Sequence, residues 1–203
     1  MSSSRITKRV GVFGGTFDPV HNGHLAVAQS VLKTLKLDQI LFVVNSDQWL
    51  RENPPVADAD DRFNMVRLAV ENVPEFDASD VDIVREGSTY TIDTLNDLHA
   101  QLGDSTELFL IVGADSAASM DRWIKADQIA DFAKIVAVGR PGEDFTLESL
   151  DESHPASGAE YVEGPMMDDS ATRVRDFLGV GQAVDELIVE SVAEYIKTTG
   201  LYR

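Results

Sequence analysis

Residues 14–24 combine the side chains and the backbone freedom that phosphate binding requires. The segment reads Gly14-Gly15-Thr16-Phe17-Asp18-Pro19-Val20-His21-Asn22-Gly23-His24. Adjacent glycines let a phosphate approach the main chain closely, and histidines three residues apart share one face when they open a helix. Both imidazoles can then point at the same phosphate group, so the segment predicts an anion site at a helix start.

Other interpretations of the histidine pair are weaker. A metal site is short of ligands, because the chain has no cysteine and only two further histidines, His99 and His154. Neither the dinucleotide fingerprint G-x-G-x-x-G nor the P-loop G-x-x-x-x-G-K-[ST] can be read in this segment. Residue types alone also allow a surface pair without function.

A second set of anion donors lies far along the chain, at residues 169–175. It reads Asp169-Ser170-Ala171-Thr172-Arg173-Val174-Arg175. Ser170 can cap a helix, and hydroxyls, free amides and two guanidinium groups at a helix start can hold a phosphate. Alone, the segment is typical of an ordinary capped helix. Together with the histidine segment, it predicts the other half of a phosphate site.

Strands and helices alternate around these segments. The predicted strands are Val10–Phe13, Ile40–Val44, one near Val81–Val84, Leu108–Val112, Ala133–Val138 and one near Tyr161. The first predicted helix carries Leu25 to Leu35, and the second begins at Asp60 or Asp61 and ends before Pro74. The other predicted helices cover Thr91–Leu102, Trp123–Ala130, Ser170–Leu178 and Asp185–Thr198. Apolar strands alternating with helices indicate an α/β fold with a doubly wound parallel sheet.

The loops and the chain length complete the predicted organisation. The long polar loop from Asn45 to Asp58 favours a functional role, since such loops are uncommon in compact domains. The acidic stretch from Gly142 to Pro155 is interpreted as a surface connection. We expect one domain over residues 1–203, with the helices from about residue 170 packed on it.

Composition narrows the class of protein. The net charge is −18 over 203 residues, which disfavours binding along a nucleic acid and requires any phosphate site to be a local cluster of donors. Solubility, or a salty cytoplasm, accounts for the acidity. No run approaches the roughly 20 apolar residues of a membrane span, and the polar start Met1–Arg5 is unlike a secretory signal. We expect a cytoplasmic protein without a membrane partner.

The two donor segments together resemble a known family. Residues 14–24 resemble the G-T-F-D-P-x-H-x-G-H signature of the nucleotidyltransferase superfamily, and residues 169–175 resemble its I-S-S-T-x-I-R segment, with Asp169 and Ala171 as departures. Residues 87–95 are similar to the G-x-S-Y-T-x-D-T-L stretch of bacterial nicotinate-nucleotide adenylyltransferases, with Thr89 in place of serine. The resemblance covers essentially the whole chain and implies a Rossmann-like nucleotidyltransferase fold with a C-terminal helical portion.

The resemblance also implies site residues. The ATP-binding set is Gly14, Gly15, Thr16, Phe17, His21, His24, Asp115, Ser170, Thr172 and Arg175. The mononucleotide-binding set is Thr16, Phe17, Arg51, Thr89, Tyr90, Thr91, Trp123 and Arg140, with Trp123 stacked on the pyridine ring. The catalytic donors are His21, His24, Arg51 and Arg175, and no protein metal ligand is expected. Arg51 stands where many members carry a lysine, so its reach and geometry differ.

The implied reaction transfers AMP from ATP to nicotinate mononucleotide, forming deamido-NAD and pyrophosphate in NAD biosynthesis. Mg²⁺ accompanies ATP and bridges its phosphates. ATP and a pyridine mononucleotide are the expected partners, and a homo-oligomer is possible. Two alternatives stay open: the same fold acting on nicotinamide mononucleotide or another phosphorylated acceptor, and a non-catalytic nucleotide-binding module.

Overall fold

A six-stranded parallel sheet forms the centre of the molecule. The computed structural model describes residues 8–46, 54–139, 150–167 and 169–203. The strands are β1 (Lys8–Gly15), β2 (Gln39–Val44), β3 (Phe76–Ser79), β4 (Thr106–Gly113), β5 (Ala133–Gly139) and β6 (Glu160–Glu163). They lie in the order β3-β2-β1-β4-β5-β6, and each neighbouring pair is parallel. The order reverses between β1 and β4, where ligands bind in open α/β sheets.

Helices connect the strands and cover both faces. They are α1 (Asn22–Leu35), α2 (Ala59–Val70), α3 (Val81–Arg85), α4 (Thr91–Leu102), α5 (Ala114–Ala118), α6 (Ala171–Gly179) and α7 (Glu190–Thr199). Two 3₁₀ turns, Met120–Arg122 and Ala126–Asp131, lie between α5 and β5. No helix in the described ranges has the length and apolarity needed to cross a bilayer.

Each face of the sheet has its own apolar core. Along β2, Phe42 belongs to one core, whereas its neighbours Leu41 and Val43 belong to the other, because successive strand residues point to opposite faces. The first core also contains Val174 of α6 and Ile196 of α7. The doubly wound parallel sheet predicted from the apolar strands is therefore confirmed, and both C-terminal helices pack on it.

The strand predicted near Val81–Val84 is wrong. The third strand is Phe76–Ser79, and Val81–Arg85 forms α3. Asp82 and Arg85 form an ion pair at i,i+3, which a helix allows and a strand does not, and Val84 is 72% exposed. This short-range ion pair and the exposure of Val84 favour a helix over the strand preference of the β-branched residues.

Three helix predictions also need correction. Asp58, rather than Asp60 or Asp61, caps α2, because its carboxylate accepts the Asp61 amide at 2.8 Å. The stretch predicted as a helix around Trp123 consists of two 3₁₀ turns separated by extended backbone at Trp123 itself.

The last helix begins at Glu190 instead of Asp185. The carbonyls of Glu186 and Leu187 accept hydrogen bonds from the side chain and the main chain of Asn22, at 3.0 and 2.8 Å. Because these carbonyls accept hydrogen bonds from the start of α1, residues 185–187 form a turn and α7 begins only after it.

Candidate nucleotide site

The loop between β1 and α1 carries the histidine pair at the reversal of strand order. His21 is the N-cap of α1, and His24 lies in its first turn. The two rings stack with centroids 3.6 Å apart, and the His21 amide donates to Nδ1 of His24 at 3.2 Å. A neutral His24 therefore carries its proton on Nε2, the atom that can donate to a phosphate oxygen.

Burial keeps both histidines neutral near pH 7. It lowers the pKa of His21 from its usual 6.5 to about 4. Burial, and then the charge of His21, holds the pKa of His24 well below 6.5. The positive end of a helix dipole acts in the same direction at this helix start. The pair consequently offers N–H donors without a formal charge.

The other predicted residues of this loop act through the main chain. The Phe17 side chain is 2% exposed, packs edge-on against His24 at 5.0 Å between ring centroids, and lines neither cavity described below. Gly14 lines the cavity near the start of α4 that is described below, whereas Gly15 lies against the Phe17 ring. The Thr16 carbonyl accepts from Arg62 at 2.7 Å.

Arg62 of α2 is a buried support that sequence reasoning missed. Its guanidinium is 1% exposed and donates to four main-chain carbonyls, those of Thr16, Asn45, Ser46 and Ala57, at 2.7 to 3.2 Å. These carbonyls follow the ends of β1 and β2 and precede α2. Arg62 thus fixes the loop that carries the histidines.

The second donor segment reaches the same loop. Ser170 caps α6, its hydroxyl accepting the Arg173 amide at 3.2 Å, as predicted. Arg175 donates to the Asp18 carbonyl at 2.6 Å and to the Thr172 hydroxyl at 3.3 Å. Since Asp18 lies three residues before His21, the guanidinium and the imidazoles are on the same side of the molecule.

One cavity opens between β1, β4 and the start of α4. It is lined by four residues of the predicted mononucleotide set, namely Thr89, Tyr90, Thr91 and Trp123. Thr89 is 8% exposed, and its hydroxyl has no hydrogen-bond partner in the described part of the chain. A buried hydroxyl without a partner is costly, which favours a ligand at this position.

Asp82 lines the same cavity and was missed because its segment was interpreted as a strand. It is 1% exposed; Oδ1 accepts from Thr94 at 2.5 Å and from Arg85, while Oδ2 has no partner within the described residues. Burial raises the pKa of Asp82, although the bonds from Thr94 and Arg85 oppose the rise. No motif marks this residue.

A second cavity adjoins the first and is lined by the histidines. His21, Gly23 and His24 line it together with the ends of β4 and β5 and the segment after β6. Phe13 and residues 111–113 line both cavities, so the two are neighbours. The histidine pair therefore lines one of two adjoining cavities, and four residues of the predicted mononucleotide set line the other.

Several residues of the predicted ATP-binding set line neither cavity, namely Gly15, Thr16, Phe17, Asp115, Ser170, Thr172 and Arg175. Asp115 is exposed at the start of α5, next to Gly113, and lines neither cavity. Arg51 and Arg140 lie outside the described residues. Across the described ranges, no three His, Asp or Glu side chains gather as metal ligands.

A parallel α/β sheet with two donor segments meeting at its strand-order reversal defines a nucleotide-binding domain of the doubly wound class. Comparisons with known proteins give the family. Residues 12–177 match the cytidylyltransferase-like family. The curated "Probable nicotinate-nucleotide adenylyltransferase" of Dehalococcoides mccartyi is 40% identical over 200 residues, covering 97% of this chain and 98% of the relative. The relative of the same name from Corynebacterium kroppenstedtii is 39% identical over 202 residues, covering 100% and 94%.

Solved structures agree on the fold. The Plasmodium falciparum nicotinic acid mononucleotide adenylyltransferase complexed with NaAD superposes with a TM-score of 0.71 at 20% identity, covering 97% of this chain and 98% of that one. The chain therefore belongs to the cytidylyltransferase-like family and, within it, to the nicotinate-nucleotide adenylyltransferases.

Proposed function

We propose that this chain is an enzyme that transfers AMP from ATP to nicotinate mononucleotide, releasing pyrophosphate and forming deamido-NAD for NAD biosynthesis. We further propose that it works as one domain in the cytoplasm, with ATP and the mononucleotide as its partners. The names of the full-length relatives support the acceptor. The observation that carries the proposal is the meeting of the Arg175 guanidinium with the histidine loop at Asp18.

The reaction depends on how the two substrates are positioned and needs no nucleophile from the protein. A phosphate oxygen of the mononucleotide attacks the α-phosphorus of ATP, a new P–O bond forms, and the bond to the bridging oxygen breaks as pyrophosphate leaves with the electron pair. The imidazoles of His21 and His24 donate to the α- and β-phosphates. Arg175, with Ser170 and Thr172 at the start of its helix, binds the departing phosphates.

The acceptor occupies the cavity lined by residues 89–91 in this proposal. Trp123 is half-buried at its rim and offers a flat surface for a pyridine ring. The unpartnered Thr89 hydroxyl offers a hydrogen bond to the acceptor. Arg51 and Arg140 belong to the proposed site on the grounds of resemblance, and Asp115 is proposed to contact the AMP ribose from the start of α5.

We propose Mg²⁺ as the cation that accompanies ATP. The described residues form no cluster of three ligands, so the fitting arrangement is a cation bound through phosphate oxygens and water. When bound with ATP, it would neutralise the triphosphate oxygens. The donors of the chain then only have to orient the phosphates.

The deciding experiment measures pyrophosphate release with Mg²⁺-ATP and either nicotinate or nicotinamide mononucleotide, side by side. We expect the acid to be used with the higher kcat/KM. Preference for the amide would establish the alternative acceptor. Binding of ATP with no pyrophosphate from either acceptor would establish a non-catalytic nucleotide-binding module and refute the proposal.

A substitution tests the histidine assignment. His24→Ala removes one donor aimed at the charge that develops on the phosphates, which typically lowers turnover about 10² to 10³-fold. His99→Ala, on α4 and outside both cavities, is the matched control and should keep full turnover. A His24→Ala enzyme with the turnover of the control would remove His24 from the mechanism.

A further inference from the structure

Asp18 is a buried connection between segments that lie far apart in the sequence. Its side chain is 2% exposed, and each carboxylate oxygen is occupied. Oδ2 accepts the Val56 amide at 2.8 Å, and Oδ1 accepts the Ala57 amide at 3.1 Å and the Tyr202 hydroxyl at 2.7 Å. Asp18 thus joins the histidine loop to the segment before α2 and to the end of the chain.

The same residue anchors the proposed triphosphate arginine. Arg175 donates to the Asp18 carbonyl at 2.6 Å, and its Nη1 lies 3.9 Å from Oδ2 of the same carboxylate. The three hydrogen bonds to the Asp18 carboxylate hold the main chain of this residue in place, so a shift of that main chain would displace the guanidinium. The histidine loop would move with it, because His21 follows three residues later.

Tyr202 is built into this connection from the opposite end of the chain. It is 8% exposed and belongs to the apolar core beneath α1 and α6. Burial, and then the bond to Asp18, raises the pKa of Tyr202, so the phenol stays protonated and can donate. A phenol that donates to a carboxylate makes a charge-assisted bond, roughly twice as strong as a neutral one.

We propose that Tyr202 is a positioning residue for the nucleotidyl transfer: its hydroxyl fixes the Asp18 carboxylate, and Asp18 thereby holds Arg175 and the histidine loop in register over the triphosphate. The inference rests on the proposed function. It predicts that loss of one oxygen atom near the C-terminus lowers the rate, although this atom is separated from the phosphates by two residues of the connection.

Tyr202→Phe tests the inference, and the chain offers a matched control. Tyr195 also donates to a carboxylate, that of Asp61, at 2.6 Å, but between α2 and α7 and outside both cavities. Both substitutions remove one phenol hydroxyl and keep the ring. We expect Tyr202→Phe to lower kcat about ten- to a hundredfold, because small misplacements of catalytic groups have effects of this size. KM for the mononucleotide should change less than about twofold, and Tyr195→Phe should keep wild-type kcat.

A second measurement separates this inference from the proposed function. Affinity for a non-hydrolysable ATP analogue with Mg²⁺, measured by calorimetry, should fall about tenfold in Tyr202→Phe and stay unchanged in Tyr195→Phe. In an Arg175→Ala background the Tyr202 substitution should have a clearly smaller effect than in wild type, because only the part that acts through the histidine loop is left. If wild type binds the analogue but forms no pyrophosphate, the proposed function fails while this test still applies.

The refuting results are equally specific. A kcat and an analogue affinity for Tyr202→Phe within twofold of those for Tyr195→Phe would make Tyr202 an ordinary core residue. Full additivity with Arg175→Ala would exclude the route from Asp18 to Arg175 and refute the inference as stated. Should Tyr202→Phe fail to fold, Asp18→Asn, which keeps the volume of the side chain, is measured with the same expectations and refutes the inference by the same outcomes.

Discussion

Acid should destabilise this protein through the histidine pair before most carboxylates titrate. The sign follows from the pKa of His21, which burial lowers from its usual 6.5 to about 4 in the folded chain. Between these values the unfolded chain binds a proton that the folded chain excludes. The stabilisation is therefore fully present above about pH 6.5 and is lost as the pH falls toward about 4.

The magnitude follows from the same two values. One unit of pKa difference corresponds to about 1.4 kcal/mol, so the depressed pKa of His21 represents about 3 kcal/mol when fully lost. Between about pH 7.5 and 5.5 the loss is about 1 kcal/mol for His21 alone. His24, whose pKa also lies well below 6.5, adds to the loss in the same direction.

Urea unfolding at the two pH values measures the effect. The double variant His21→Asn/His24→Asn keeps an acceptor at each Nδ1 position, and asparagine is a good helix N-cap. The free energy of unfolding of wild type should fall by at least about 1 kcal/mol more than that of the variant over this pH interval. All other titrating groups are common to both proteins, so their contributions cancel. Equal losses in wild type and double variant would refute the reasoning.

Three further predictions concern stability. Arg62→Met buries an apolar side chain where a guanidinium served four main-chain carbonyls, and it should lower the free energy of unfolding by about 3 to 5 kcal/mol in urea titrations. Arg67→Met, at an exposed position on the same helix, should change it by less than about 0.5 kcal/mol. Gly11→Ala places a methyl group 2.5 Å from Cδ1 of Ile40 and should cost about 1 to 3 kcal/mol, measured against Gly158→Ala, whose new methyl meets no atom within 4 Å. Raising KCl from about 0.05 to 0.5 M should raise the thermal midpoint, because salt screens the repulsion within a chain of net charge −18; a flat or falling midpoint would contradict this.

Local sequence signals were sufficient to predict the central strands of the sheet and to single out the two donor segments. Apolar runs located β1, β2, β4 and β5, and the hydroxyl of Ser170 marked the start of α6 to within one residue. These signals depend only on residues that are close together in the sequence. The meeting of these segments was inferred from resemblance, because no local pattern states which loop α6 approaches.

Most of the unpredicted contacts join residues that lie far apart in the sequence. Asp82 is the exception: Arg85, three residues on in α3, and Thr94 of α4 both donate to its Oδ1. Tyr202 contacts Asp18 across 184 positions, and Arg62 contacts Thr16 across 46. Periodicity and capping rules describe neighbouring residues only, so they could assign Asp82 to a strand and could not indicate which residue Tyr202 contacts.

The neutrality of the histidines gives a physical reason why so acidic a chain could hold the proposed phosphate site. A cluster of buried charges would need compensation, whereas a neutral imidazole donates a hydrogen bond at a smaller desolvation cost. A neutral donor, however, has little long-range attraction and acts only if it is correctly aimed. The buried supports supply that aim: Arg62 holds the carbonyls of the loop, Leu187 accepts the Asn22 amide at the start of α1, and Asp18 ties the loop to Arg175. Binding in this protein should therefore respond more strongly to the loss of these remote supports than to moderate changes in its overall charge.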